Sequence, residues 1–169
     1  MEVRSIEKII RALNDGGVRY IIVGGVAVVA HGYERFTRDL DLVIELEKEN
    51  IFRAMKILQE IGYHPRLPIT PEQFSDPALR AKWRLEKNMV VLPLWSDKHE
   101  RTPVDIFVHE PFDFAKEFVL MVRQPVLGAD SAPIVSYQTL IQLKKSAGRA
   151  QDLADVENLE KIAILRKQI

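Results

Sequence analysis

The chain has 169 residues, 47% of them hydrophobic, which is enough for one domain with a sizeable core. Its 24 basic residues balance its 24 acidic residues, so no overall charge attracts the protein to nucleic acid or to an anionic membrane. The sequence contains no cysteine, which excludes disulfides, thiolate nucleophiles and cysteine-ligated zinc. The apolar run at 20–30 is too short to span a bilayer and starts too late for a typical signal peptide. We therefore expect a cytoplasmic protein without a membrane partner.

Helices and strands alternate through the first 60 residues. Apolar residues recur at helical spacing in 6–13 and in 51–61, and a glycine ends each run. Residues 20–23 are β-branched or aromatic and predict a strand, and residues 26–31 predict a short apolar helix. A second strand is predicted at 39–44. The order helix, strand, helix, strand, helix predicts an α/β fold.

A double glycine lies between the first strand and the short helix. Gly24 and Gly25 allow a sharp turn at little steric cost, so a phosphate group can approach the backbone there. The amides at the start of the helix are unpaired within it and carry the positive end of its dipole. The turn is therefore a candidate phosphate-binding site, although a double glycine is more often only a turn.

Two aspartates alternate with apolar residues in the second strand. Asp39 and Asp41 point to one face, and Leu40, Leu42 and Ile44 point to the other. Carboxylates at this spacing lie roughly 7 Å apart, close enough to share divalent ions, and without such ions they repel each other. Hard cations such as Mg²⁺ take oxygen ligands and usually keep substrate phosphates in their shell, so the pair indicates phosphoryl chemistry. The alternative for this motif alone is a solvated strand face.

In combination, the two motifs resemble the signature of the nucleotidyltransferase superfamily. The sequence reads GG, thirteen intervening residues and then DLDL. More narrowly, GGVAxxxHGxxRxTxDLDL is similar to the bacterial branch that includes AbiEii-type toxins and antibiotic nucleotidyltransferases. The resemblance implies a polymerase beta-like fold in which Asp39 and Asp41 are the catalytic aspartates.

A basic helix is predicted after a proline-rich loop. Residues 70–73 fit a helix start with a capping threonine, and a further helix from about residue 76 carries Arg80, Arg84 and Lys87 on one face. This face is a candidate contact for the phosphates of an acceptor RNA. The alternative is a solvated basic face beside a core tryptophan.

A pair of strands is predicted at 89–95 and 104–108, joined by a polar loop. The second strand contains Asp105 between apolar residues, which is costly unless a cation or a hydrogen bond compensates the carboxylate. By the family resemblance, Asp105 matches the third acidic residue of these enzymes. In that role it either ligates the metal or accepts the proton of the attacking hydroxyl; the alternative is a structural role.

The C-terminal part adds helices and a hairpin. A short helix is predicted at 112–118, a hairpin with strands at 126–127 and 133–135, and a last helix at 153–165. Between them, the segment LIxLKxxAGRxQDLADV at 140–156 resembles the C-terminal motif of the same branch, where a helix packs against the nucleotide cleft. The family lysine maps to Lys144, and the polar run maps to Arg149, Asp152 and Asp155. The alternative is an amphipathic helix with charge pairs on its solvated side.

These observations predict an α/β (α+β) fold with a mixed sheet flanked by helices, in a single domain at 1–169 with its core at about 1–110 and an elaboration at 111–169. The predicted activity is metal-dependent transfer of NMP from an NTP to an acceptor hydroxyl, with Mg²⁺ or Mn²⁺ as cofactor. The predicted catalytic and metal-binding residues are Asp39, Asp41 and Asp105. The predicted nucleotide-binding residues are Gly24, Gly25, Arg35, Thr37, Lys144 and Arg149.

The sequence leaves the chemical class of the acceptor open. The resemblance to toxins favours RNA, such as tRNA, with a cognate antitoxin or a second copy of the chain as a partner. An antibiotic nucleotidyltransferase and a nucleotide-binding or interaction module without turnover are the alternatives. The four histidines show no metal-ligand spacing, and motifs of serine hydrolases and Walker-type ATPases are absent from the sequence.

Overall fold

A mixed sheet of seven strands organises the fold of this computed structural model, which describes residues 1–166; residues 167–169 of the predicted domain lie outside the described part. The strands are β1 (Tyr20–Ile22), β2 (Leu40–Ile44), β3 (His64–Pro65), β4 (Val91–Trp95), β5 (Val104–Phe107), β6 (Val122–Val126) and β7 (Ala129–Ile134). Their order across the sheet is β3-β4-β5-β2-β1-β7-β6. The predicted α/β class with a mixed sheet is confirmed.

Eight helices accompany the sheet within residues 1–166. They are α1 (Val3–Asp15), α2 (Gly24–Ala30), α3 (Lys48–Glu60), α4 (Pro71–Ser75), α5 (Pro77–Lys87), α6 (Phe114–Leu120), α7 (Tyr137–Ala147) and α8 (Ala150–Arg166). Helices α1 and α3 pack against each other, and α2 packs between β2 and α7. None of these helices is long and apolar enough to cross a bilayer.

Strand β2 lies at the centre of the sheet and carries the two-faced pattern that its sequence predicts. It runs antiparallel to β1 and parallel to β5. Leu40, Leu42 and Ile44 are at most 1% exposed and belong to the hydrophobic core. Because side chains alternate along a strand, the opposite face of β2 presents Asp41.

The C-terminal hairpin is longer than its sequence indicates. Strand β6 begins at Val122, four residues before the predicted strand at 126–127, and its turn at Leu127 and Gly128 has positive φ at both residues. The segment VRQPV is mostly exposed and contains Pro125, because β6 is an edge strand of the sheet and its side chains do not need to be apolar. The two-residue edge strand β3 was missed for the same reason.

The predicted start of α4 is confirmed, but the predicted basic face of α5 is wrong for one of its three residues. Thr70 and Gln73 form the reciprocal hydrogen bonds of a capping box. Arg80, however, is only 8% exposed; its Nη1 donates to the carbonyl oxygen of Phe74 at 2.6 Å, and its guanidinium lies 5.9 Å from the Phe74 ring. Since α5 follows α4 directly and turns back towards Phe74, Arg80 is buried between them. Arg84 and Lys87 are exposed.

Candidate active site

Two aspartates from neighbouring parallel strands meet on one face of the sheet. Asp41 of β2 is the register partner of Asp105 of β5, so the two side chains project from adjacent positions in the same direction. Asp39 is the residue just before β2. Because it is two residues from Asp41, the alternation of side chains places both on the same face. The strand pairing therefore brings together the acids that the sequence places 64 residues or more apart.

The electrostatics show that the three carboxylates lie within each other's field. Burial first, and then the negative charges of Asp39 and Asp105, raise the pKa of Asp41 to about 7, against smaller opposing effects of Lys144 and the Gly25 N–H. The pKa of Asp105 is also raised, by burial first and then by Asp39. Like charges in a half-buried cluster disfavour ionisation, so this group of carboxylates favours a cation or a proton.

The double glycine contacts the aspartate cluster directly. Gly24 has φ +64°, and a Cβ at this residue would overlap the carboxylate of Asp41. A Cβ at Gly25 would overlap Thr37 Oγ1 and would lie 3.2 Å from Arg35 Nη2. The short helix begins two residues earlier than the predicted 26–31, so both glycines belong to α2, and Asp41 and Thr37 lie directly against them. Glycine is needed here because these side chains approach the backbone so closely.

The Gly24→Ala variant is expected to lower the free energy of unfolding by about 2–4 kcal/mol, because it adds steric overlap to the strain of a positive φ. Gly17 is the matched control, because it has the same φ of +64° but nothing within 4 Å of the position of its Cβ. Gly17→Ala is expected to cost only about 1 kcal/mol. Urea unfolding of both variants measures the difference, and equal costs would show that Asp41 does not occupy the space in front of Gly24.

A buried network of ion pairs joins the C-terminal helices to this site. Lys144 of α7 is 6% exposed, and its Nζ lies 2.9 Å from Asp152 Oδ1 and 2.9 Å from Asp155 Oδ2, both on α8. Asp155 also receives Arg35, whose Nη2 donates to Oδ2 at 2.9 Å and whose Nε lies 2.7 Å from Oδ1. The loop that carries Arg35 and Thr37 is thus fixed to α8 next to Gly25.

Arg149 lies at the edge of the same network. Its Nε donates to Asp152 Oδ2 at 2.6 Å, while most of its side chain is exposed. The pKa of Arg149 is raised by the hydrogen bond and charge of Asp152, and to a smaller extent by Asp41 and Asp39. This places a solvent-accessible guanidinium within the field of the aspartate cluster.

The structure brings the predicted site residues into one region but changes the role of some of them. Asp39, Asp41, Asp105, Gly24, Gly25, Arg35 and Thr37 form the centre of the region, and Lys144 and Arg149 flank it. Lys144 and Arg35 are engaged by Asp155, a pairing that the sequence motif did not reveal. Within residues 1–166, no three carboxylates or histidines are already grouped as the ligands of a metal ion.

Arg66 is a further residue near the site that the sequence did not single out. Its charge lowers the pKa of Asp105 against the effect of burial, and its N–H donates to the carbonyl oxygen of Pro93, the register partner of Asp105 on β4. Arg66 lies in a proline-rich stretch that was interpreted as a surface loop. Only the pairing of β3 with β4 brings it to the aspartates.

The fold of this chain is shared with solved structures of other proteins. It is similar to the lincosamide antibiotic adenylyltransferase LnuA in its lincomycin-bound form (TM-score 0.63, 16% identity, 94% of this chain and 96% of that chain). It is also similar to ANT(2″)-Ia in complex with adenylyl-2″-tobramycin (TM-score 0.59, 14% identity, 98% and 95%). A third similar structure is an antigenic nucleotidyltransferase-like protein from Paracoccidioides brasiliensis (TM-score 0.55, 16% identity, 95% and 76%). At these identities the likeness is one of fold, and the fold is that of nucleotidyltransferases.

The sequence places the chain more narrowly. Residues 2–168 match the family described as "Nucleotidyl transferase of unknown function (DUF2204)", and the chain belongs to this family. The predicted membership of the nucleotidyltransferase superfamily is confirmed, and the protein is a nucleotidyltransferase by family and fold. A search of curated proteins finds no match.

Proposed function

We propose that the protein transfers NMP from an NTP to a hydroxyl group of an acceptor, at the cluster of Asp39, Asp41 and Asp105. The observation that supports this proposal most strongly is the register pairing of Asp41 with Asp105, together with the raised pKa of both residues. Three mutually repelling carboxylates beside a pair of glycines are costly for the fold alone. They suit a site that receives a divalent cation with a triphosphate.

The side-chain chemistry of the cluster suits such a cation, which would have to draw the carboxylates together, because within residues 1–166 they are not grouped as metal ligands. All three candidate ligands are carboxylates, and hard cations such as Mg²⁺ and Mn²⁺ prefer oxygen ligands, with substrate phosphates completing the shell. In this proposal Asp39 and Asp41 hold the cation, and Asp105 either holds it as well or acts as base. A bound cation supplies neutralisation of the phosphate charge.

The side chains around the cluster position the reactants. Thr37 lies against Gly25, so its hydroxyl group is placed to bind a phosphate oxygen, and Arg35, which is held by Asp155, adds positive charge beside it. Arg149 is exposed in the field of the aspartates and supplies a further positive charge for the triphosphate. Buried Lys144 balances the aspartates of α8 and partly offsets the charge of Asp41.

The reaction proposed for these residues is a single displacement. The acceptor oxygen attacks the α-phosphorus, a new P–O bond forms, and the bond from the α-phosphorus to the bridging oxygen of the β-phosphate breaks, so pyrophosphate leaves with the electron pair. Asp105 accepts the hydroxyl proton. Its raised pKa makes it a stronger base than an ordinary aspartate.

For the acceptor we propose a small hydroxylated molecule. The similar structures of LnuA and ANT(2″)-Ia are complexes with lincomycin and with adenylyl-2″-tobramycin, and this chain covers more than nine-tenths of each. The exposed basic residues that were candidates for RNA contact are poorly placed, because Arg84 lies beside His109, beyond the end of the strand that carries Asp105. An RNA acceptor, with an antitoxin or a second chain as partner, is the second candidate, and it requires Arg84 and Lys87 to contact distant phosphates.

The experiment is a transfer assay with α-labelled NTPs and Mg²⁺ or Mn²⁺, in separate reactions with aminoglycosides, lincosamides, total RNA and the protein itself. We expect label in one of the small-molecule pools. If label enters RNA instead, and an Arg84→Gln, Lys87→Gln double variant loses this labelling, then RNA and not a small molecule is the acceptor. NTP binding without label in any pool would favour a module without turnover, for which the engagement of Arg35 and Lys144 by Asp155 is the supporting observation.

A further inference from the structure

A cavity of about 400 Å³ lies at the end of the sheet away from the aspartate cluster. Its walls come from the segment after β2, from α5 and from the segment after β5; the lining includes Leu46, Arg80, Arg84, Val108 and His109. Leu46 and His109 each lie two residues beyond the end of their strands, β2 and β5, whereas Asp41 and Asp105 are the second residues of these strands. The cavity is therefore separate from the proposed active site, and its volume is that of a small-molecule site.

Arg80 is the unusual residue of this cavity. It is 92% buried, as its exposed fraction is 8%, yet it forms no ion pair with another residue of the described chain. Its side chain makes one hydrogen bond, from Nη1 to the carbonyl oxygen of Phe74. Nε and Nη2 form no hydrogen bond within residues 1–166 and are accessible to solvent, and Arg80 is one of the residues that line the cavity. Burial lowers the pKa of Arg80 against the opposing charges of Glu110 and Asp76, so these two carboxylates offset the desolvation of the guanidinium only in part.

A second arginine points to the same ligand chemistry. Arg84 is one helical turn after Arg80 and lines the same cavity, and like charges at this spacing disfavour the helix. His109 faces both of them; burial and then the charge of Arg84 lower its pKa, so the ring is neutral at pH 7. Of the two carboxylates in the lining, Glu110 accepts the N–H of Leu46, and Glu47 is exposed at the start of α3. The arginines therefore provide the unpaired hydrogen-bond donors.

We propose that this cavity binds a small organic anion, with its phosphate or carboxylate group between Arg80 and Arg84 and its apolar part against Leu46 and Val108. Paired guanidinium groups bind such oxyanions through several charge-assisted hydrogen bonds. The apolar side chains of the lining are placed to contact the apolar part of the ligand. The site is distinct from the NTP site and does not depend on the proposed transfer reaction.

The test is an NMR titration of the full chain with inorganic phosphate, and separately with acetate, at constant ionic strength. The chain has four histidines, and the ring signal of His109 is assigned with a His109→Gln variant. We expect a saturable shift of the His109 signal, and the anion that binds more tightly identifies the ligand as a phosphate or a carboxylate. Arg84→Gln is expected to weaken binding about tenfold, the loss of one or two charge-assisted hydrogen bonds.

Two controls make the result specific. Lys82→Gln removes an exposed positive charge from the same helix but lies outside the cavity lining, so it should leave the affinity within about twofold of the original protein. Asp41→Asn should also leave it unchanged, since the two sites lie at opposite ends of the strands. A shift that grows linearly without saturation, or an equal loss in Arg84→Gln and Lys82→Gln, would overturn the proposal. Loss of the His109 shift in Asp41→Asn would do the same, since the anion would then belong to the active site.

Discussion

The Asp41→Asn variant should lose nucleotidyl transfer by about a thousandfold or more, and at pH 8 it should be more stable than the unaltered protein. Activity falls because the amide cannot hold a cation as a carboxylate does. Stability rises because the variant removes a charge that burial, Asp39 and Asp105 all oppose. The raised pKa of about 7, against the ordinary 3.8, corresponds to up to about 4 kcal/mol.

The sign of the pH dependence follows from the direction of that shift. The folded state holds the proton of Asp41 more tightly than the unfolded state, so the unaltered protein loses stability as the pH rises from about 4 to about 7. The gain in unfolding free energy from Asp41→Asn should therefore be absent below pH 4 and complete above pH 7. Urea unfolding at several pH values measures it, and Asp97→Asn, an exposed aspartate outside the site, is the control. A variant that is less stable than the original at pH 8 would contradict the electrostatic account.

Replacing Asp155 with alanine should destabilise the protein by about 3–5 kcal/mol, the usual cost of breaking a buried ion pair from one side. Asp155 is fully buried and receives Lys144, Arg35 and Gln151. Burial alone would raise its pKa, but the hydrogen bonds from these three residues lower it overall. Without this carboxylate, buried Lys144 keeps only Asp152, and Arg35 loses its contact with α8. Transfer should fall as well, because Arg35 is no longer fixed beside Gly25.

Glu160 provides a matched control on the same helix. It pairs with Lys145 of α7 at 3.0 Å, as Asp155 pairs with Lys144, but both side chains of the Lys145–Glu160 pair are about half exposed. Glu160→Ala should therefore cost at most about 1 kcal/mol. Unfolding in urea measures the stability of the two variants. Similar losses of unfolding free energy in both would mean that the buried network does not fix α8 to the loop that carries Arg35.

The three acidic residues could be singled out from the sequence because the pattern within each strand is local, whereas the position of Asp105 beside the other two was only implied by the family resemblance. Alternation in β2 separates Asp39 and Asp41 from the core leucines, and an aspartate inside an apolar strand marks Asp105. Both features follow from strand geometry, so they are visible without the fold. The class of the fold was predictable for the same reason, since helical and strand periods alternate along the chain.

The partners of the basic residues were not predictable from the sequence. Arg80 shares its helical spacing with Arg84 and Lys87, yet the turn between α4 and α5 buries it against Phe74. Lys144 and Arg35 look like free cations in the sequence, and only the packing of α8 shows that Asp155 pairs with both. Long side chains find partners through tertiary contacts that a periodic pattern does not encode.

The most direct test of the three-aspartate site is the calorimetric titration of the protein with ATP and Mg²⁺ at pH 7, in buffers of different ionisation enthalpy. A carboxylate with a pKa of about 7 carries about half a proton at this pH, and binding a cation requires its release. We predict binding with the release of about half a proton in the unaltered protein, and at least tenfold weaker binding without this release in Asp41→Asn. Equal affinity in the two proteins with no proton released by either would contradict the proposed site.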